Sequence, residues 1–212
     1  MEDIYIDATL DCNWSCSYCP YGEKEYDKHE VGDKKYIENI NKSNIPKYTN
    51  VTITGGEPGI KSKEFFNNLF DFLRGNHNII NINTNGMFID KGYYDLFYDD
   101  IKKCYLHIVQ EIDEDIGSNN LKYCEYDKVM PLIIVHNKNI DILETFLKKY
   151  SHIKFLILIN SIFESYDLNK NEVKKLINIS VANSNCYFYE NIYLKLIKPL
   201  KKQNRNSKFY GL

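Results

Sequence analysis

Short apolar runs rich in β-branched residues alternate with longer amphipathic stretches along this chain, and that alternation restricts the fold to repeated βα units around a parallel sheet. The runs fall at about residues 4–9, 50–54, 78–83, 104–110, 128–136 and 153–160, giving six units. Between the second and third runs, Phe65, Phe66, Leu69, Phe70 and Leu73 recur at helical spacing after Ser62, an N-cap candidate, with Gly75 as the stop. Ile142, Leu143, Phe146, Leu147 and Tyr150 repeat the pattern after the fifth run. Val173, Leu176, Ile177 and Val181 predict a covering helix, and residues 186–200 a second one. These readings give one core domain over residues 1–200, with covering helices in 161–200, followed by a polar tail over 201–212.

The near-continuous apolarity of residues 132–135 and 155–159 indicates strands covered on both faces, as in a doubly wound sheet or a barrel. Periodicity does not choose between the two. In either, the loops after the C-terminal strand ends form the site. Unusual residues gather there: a cysteine cluster after the first strand, Gly55-Gly56-Glu57-Pro58 after the second and Thr84-Asn85-Gly86 after the third.

Charge and composition exclude several function classes. The 27 basic and 29 acidic residues leave a net charge of −2, so there is no global positive field for nucleic acid or anionic membrane. No apolar run approaches the ~20 residues that span a bilayer. The opening Met1-Glu-Asp-Ile lacks the basic-then-apolar layout of a secretory signal, so a cytoplasmic protein without a membrane partner is expected. In that setting the six cysteines are expected to be reduced.

Three of the six, Cys12, Cys16 and Cys19, lie within eight residues, close enough for one loop to wrap a metal centre. A structural zinc site wants four protein ligands, and the one nearby candidate for the fourth is His29. A zinc knuckle in a binding module is therefore the alternative. A cubane iron–sulfur cluster on three thiolates leaves one iron open to a cofactor or substrate, and that arrangement implies an enzyme.

The loop Cys12-Asn-Trp-Ser-Cys16-Ser-Tyr-Cys19 resembles the signature of the radical S-adenosylmethionine (radical SAM) superfamily, with Tyr18 in the aromatic slot. Gly55-Gly56-Glu57-Pro58 is similar to that family's methionine-binding motif, and Asn83-Thr84-Asn85-Gly86 follows in the family's order. The resemblance covers about residues 4–160. It implies an α/β fold, a partial (βα)6 TIM-like barrel with parallel strands. It also implies one [4Fe-4S] cluster on Cys12, Cys16 and Cys19, with S-adenosylmethionine bound at the open iron. One-electron cleavage of that sulfonium would give a 5′-deoxyadenosyl radical that abstracts hydrogen from a substrate. The glycines would let backbone approach the cofactor, Glu57 would meet its amino group and Pro58 would stiffen the turn.

Remaining assignments follow from the same resemblance. Asn83 and Asn85 are cofactor-binding candidates, and Gln110 or Glu111, at the end of the fourth strand, is a candidate for the ribose. His136, Asn137 and Asn160 end later strands and are within reach of adenine or substrate. Cys104 and Cys186 are candidate hydrogen-atom donors. Glycyl-radical-enzyme activating enzymes are a second alternative within the family, although Val109-Gln110-Glu111-Ile112-Asp113 departs from their fourth strand. A small-molecule or peptide substrate is expected, with flavodoxin or ferredoxin as the electron donor.

Overall fold

The computed structural model describes residues 3–16, 19, 32–108, 118–159, 167–188 and 209–210. They form two compact units, one of residues 1–15, 21–106 and 207–212, the other of residues 16–20 and 107–206.

In the first unit, β1 (Asp3–Thr9), β2 (Asn50–Gly55), β3 (Ile79–Thr84) and β4 (Ile101–His107, of which residues up to 106 belong here) pair in sequence order, every pair parallel. Between them run α1 (Asp33–Lys42), α2 (Lys63–Gly75) and the single turns α3 (Met87–Asp90) and α4 (Tyr93–Leu96). The α2 boundaries are as the sequence indicates. Ser62 caps the helix by accepting from Phe65 N–H at 3.1 Å, and the expected face of Phe65, Phe66, Leu69, Phe70 and Leu73 is fully buried. Helix α1 carries a weaker signal, Tyr36 and Ile40 one turn apart; both are buried, and Tyr36 Oη donates to Asp7 O at 2.6 Å.

Alternation does the packing of the strands. Ile4, Ile6 and Ala8 of β1, Val51 and Ile53 of β2, and Ile80 and Ile82 of β3 are all buried. Phe66 is the hub of an aromatic cluster, with ring centroids 5.4 Å from Phe65, 5.8 Å from Phe70, 5.1 Å from Phe88 and 5.4 Å from Tyr93.

In the second unit, β5 (Val129–Val135), β6 (Phe155–Ile159) and β7 (Cys186–Phe188) are parallel neighbours, and Ile108 N–H donates to Leu132 O at 3.2 Å. A single turn, α5 (Ser118–Leu121), precedes β5; α6 (Ile140–Lys149) and α7 (Lys170–Ala182) follow β5 and β6. Asn169 and Glu172 close a capping box at the start of α7.

Three expectations are corrected. Residues 186–188 form a strand, not the start of a helix: Cys186-Tyr-Phe pairs with Phe155-Leu-Ile, and residues 189–200 lie outside the described residues. The expected α7 face is displaced, with Leu176 and Ile179 buried while Val181 is 75% exposed. Within the polar tail, Phe209–Tyr210 forms a strand, β8, parallel to Tyr5 and Ile6 of β1. Two- and three-residue strands carry no readable period, because their pairing is set by backbone hydrogen bonds.

Since Phe66 touches several rings at once, Phe66→Ala is expected to cost about 3–5 kcal/mol of stability, whereas Leu96→Ala, on a half-exposed side chain, should cost little. Urea unfolding of both variants against the parent checks this. A Phe66→Ala cost below about 1 kcal/mol would contradict the assignment of the hub.

Candidate cofactor and metal site

The site begins where β1 stops pairing regularly. Asp7 faces Thr54 but Thr9 faces Gly55, so Ala8 is an extra residue that turns the chain out of the ladder toward Cys12. Gly56 N–H donates to Thr9 O and Glu57 N–H to Asp11 O, each at 2.7 Å. These bonds press the backbone of residues 9–11 onto Gly55 and Gly56. A Cβ on Gly55 would sit 2.3 Å from Thr9 O, and one on Gly56 would sit 2.0 Å from Asp11 O. Gly55 also has φ +110°, which disfavours any side chain. The close approach these glycines allow is therefore first that of the chain's own cysteine loop.

Glu57 is fully buried, and its carboxylate joins the ends of β2 and β3. Oε1 accepts from Gly59 N–H at 2.7 Å and from Thr84 Oγ1 at 2.8 Å, and Oε2 accepts from Asn85 N–H at 2.6 Å. Burial pushes its pKa up, while donations from Asn85, Thr84, Gly59 and Phe88 pull it back. Both carboxylate oxygens are thus engaged by protein donors, from its own turn and from the end of β3. Pro58 opens the 3-10 turn Pro58–Ile60 and is buried, in keeping with a stiffening role.

Asn85 carries the connection onward to the cysteine loop. Its Nδ2 donates to Asn13 Oδ1 at 2.8 Å and to Cys12 Sγ at 3.7 Å, and its Oδ1 accepts from Met87 N–H at 3.4 Å. Trp14 N–H donates to the same sulfur at 3.4 Å. Asn83 donates from Nδ2 to Thr54 Oγ1 at 3.3 Å. Sequence reasoning missed Thr84 and Asn13 as contributors; Thr84, 1% exposed, also accepts from Gly86 N–H at 3.1 Å. A threonine between two asparagines at a strand end was the available signal.

Cys104 is fully buried in β4, and burial, with the nearby Glu57 charge, pushes its thiol pKa far up. Cys186 opens β7 beside Phe155, the first residue of β6, and its Sγ lies 3.2 Å from Asn183 O; it sits at the strand-start end of its unit, opposite the loops that follow β5 and β6. His136 is buried in the turn after β5, where its Nδ1 accepts from Lys138 N–H, and Asn139 satisfies its N–H. His107 is held neutral, burial lowering its pKa to about 4. Tyr18, Gln110, Glu111, His29 and Asn160 lie outside the described residues.

Cys12, Cys16 and Cys19 are half-buried, and none forms a disulfide. Cys19 N–H donates to Cys16 O at 3.0 Å, which closes a turn between the second and third cysteines. Among the described residues no three metal-ligating side chains converge closely enough to hold an ion. The donor chemistry nevertheless fits an iron–sulfur cluster: three reduced thiols on one short loop, one of them already receiving N–H groups of the kind that stabilise a ligating thiolate.

No protein-family model matches the chain, and no curated protein matches it. Solved structures do. A structure of native anSMEcpe with bound AdoMet aligns with a TM-score of 0.63 at 16% identity, over 88% of this chain and 63% of that one. Native anSMEcpe with bound AdoMet and Kp18Cys peptide gives 0.63 at 18% identity, and with Cp18Cys peptide 0.60 at 18%; each alignment covers 88% of this chain and 62% of the other. This chain thus spans less than two thirds of the length of those structures. At these identities the likeness is one of fold: the chain shares the parallel α/β architecture of those structures.

Two expected outcomes test the geometry. Gly56→Ala should lose about 1–3 kcal/mol or more by forcing backbone apart, whereas Gly75→Ala, with no atom within 4 Å of the added carbon, should be neutral or stabilising. Equal effects in urea unfolding would contradict the close approach. For Glu57 the raised pKa means the folded state binds more protons than the unfolded chain, so stability falls as pH rises from the ordinary 4.5 through the raised value and is flat above it. Glu57→Gln should remove that slope and cost about 1–3 kcal/mol, because one backbone donor loses its acceptor. A slope unchanged in the variant would contradict the assignment.

Proposed function

We propose that this chain is a radical SAM enzyme in which Cys12, Cys16 and Cys19 hold one [4Fe-4S] cluster and S-adenosylmethionine binds at its open iron. The observation that carries the proposal is the local one. Thr9 and Asp11, just before the first cysteine of the loop, accept backbone bonds from Gly56 and Glu57, and Cys12 Sγ accepts from Asn85, on a fold that holds AdoMet in anSMEcpe. When bound, cluster and cofactor supply one-electron cleavage of the sulfonium and a 5′-deoxyadenosyl radical that takes a hydrogen atom from the substrate.

The chain's own residues contribute position and exclusion. Gly56 and Glu57 have their N–H groups engaged by Thr9 and Asp11, so the motif offers a cofactor's ammonium carbonyl oxygens rather than amides. Tyr18, Asn83 and either Gln110 or Glu111 complete the cofactor contacts in this reading. Trp14 covers the loop from solvent, which a reactive carbon radical requires. The substrate is a small molecule or a short peptide, the electron donor a flavodoxin or ferredoxin, and the location cytoplasmic. No helix among the described residues is long and apolar enough to cross a membrane.

Protein reconstituted anaerobically with iron and sulfide, then reduced with dithionite, is expected to convert S-adenosylmethionine to 5′-deoxyadenosine and methionine. Cys16→Ala is expected to abolish the conversion. Retention of activity in that variant, or uptake of zinc without iron and sulfide from iron-replete anaerobic expression, would overturn the proposal in favour of a zinc knuckle.

A further inference from the structure

We infer that Asn85 is a positioning residue that sets the reduction potential of the cluster through the sulfur of Cys12, an inference that rests on the cluster assignment above. Its amide is fixed from four directions. Its backbone N–H donates to Glu57 Oε2 at 2.6 Å, its Oδ1 accepts from Met87 N–H, and its Nδ2 donates to Asn13 Oδ1 and to Cys12 Sγ. The two ends of the amide cannot exchange, since a flip would set Nδ2 against the Met87 N–H and Oδ1 against the Asn13 oxygen. The 3.7 Å approach to Cys12 suits the larger radius of sulfur. Asn85 is itself 9% exposed, so water competes weakly for the donor.

The direction of the effect follows from charge. One-electron reduction adds a negative charge that spreads onto the ligating sulfurs, and an N–H aimed at a sulfur stabilises that more negative state. Asn85 therefore raises the potential and makes the cluster easier to reduce. The Glu57 carboxylate supports this path by holding the Asn85 backbone. A residue already engaged with four partners inside the unit is not a general ligand for substrate, which separates this role from direct contact with the cofactor.

Wild-type protein, Asn85→Ala and Asn85→Asp are each reconstituted anaerobically, and iron content is measured. The potential is then read by electron paramagnetic resonance during titration with dithionite, which supplies the single electron. All three are expected to take up the same iron. Asn85→Ala should shift to a lower potential, by about the ~59 mV that corresponds to a tenfold less favourable one-electron reduction. Asn85→Asp, isosteric and still able to accept from Met87, should shift further, because it replaces the donor with a negative charge. It also decides the matter should Asn85→Ala fail to fold. Wild-type potential in a loaded variant, or loss of iron from a folded Asn85→Ala, overturns the inference. Failure of the wild-type protein to assemble any iron–sulfur cluster would instead overturn the assignment on which it rests, so the two failures are distinguishable.

Discussion

The buried carboxylate of Glu57 is the interaction on which the site end of the first unit depends. A carboxylate with no solvent exposure is costly unless donors surround it, and here two backbone N–H groups and one hydroxyl do so. Those donors come from its own turn and from the end of β3, so satisfying one charge fixes two loops at once. The third loop is held by backbone bonds and by the Asn85 side chain. Thr9 and Asp11 accept from Gly56 and Glu57 across a gap that admits only glycine. The motif is thus a joint between strand ends as well as the proposed ligand site, and both uses require the same residue types.

This dual use explains what the sequence discloses and what it hides. Strand positions, the α2 face and its Ser62 cap were legible because period and capping chemistry are local. The gathering of Cys12, Gly55 and Asn85 was legible because parallel strands must deliver their ends to one side. Hidden were the direction of the Glu57 side chain and the burial of Cys104. Both depend on which neighbour satisfies a charge or fills a core, and that is a property of the assembled unit. Strands β7 and β8 were hidden for a different reason, being too short for any period to accumulate.

The arrangement also divides labour in a way suited to radical chemistry. A primary carbon radical reacts with almost any C–H bond it meets, so residues near it need fixed positions more than acid or base strength. The first unit meets that need by immobilising polar side chains against one another. Cys104 is buried and protonated and Glu57 is enclosed, so both groups are withdrawn from proton transfer. What remains accessible is sulfur on the cysteine loop and backbone on the glycine turn. In the proposed function, metal ligation and cofactor docking use those two kinds of group.

The proposed cluster has three protein ligands and leaves one iron for S-adenosylmethionine. Mössbauer spectroscopy of protein reconstituted with ⁵⁷Fe, recorded before and after adding S-adenosylmethionine, tests this directly. A four-iron cluster is expected in which one iron alone changes its isomer shift on addition, because only that iron gains new nitrogen and oxygen ligands. Four equivalent irons unaffected by the cofactor, or iron bound without sulfide, would contradict it.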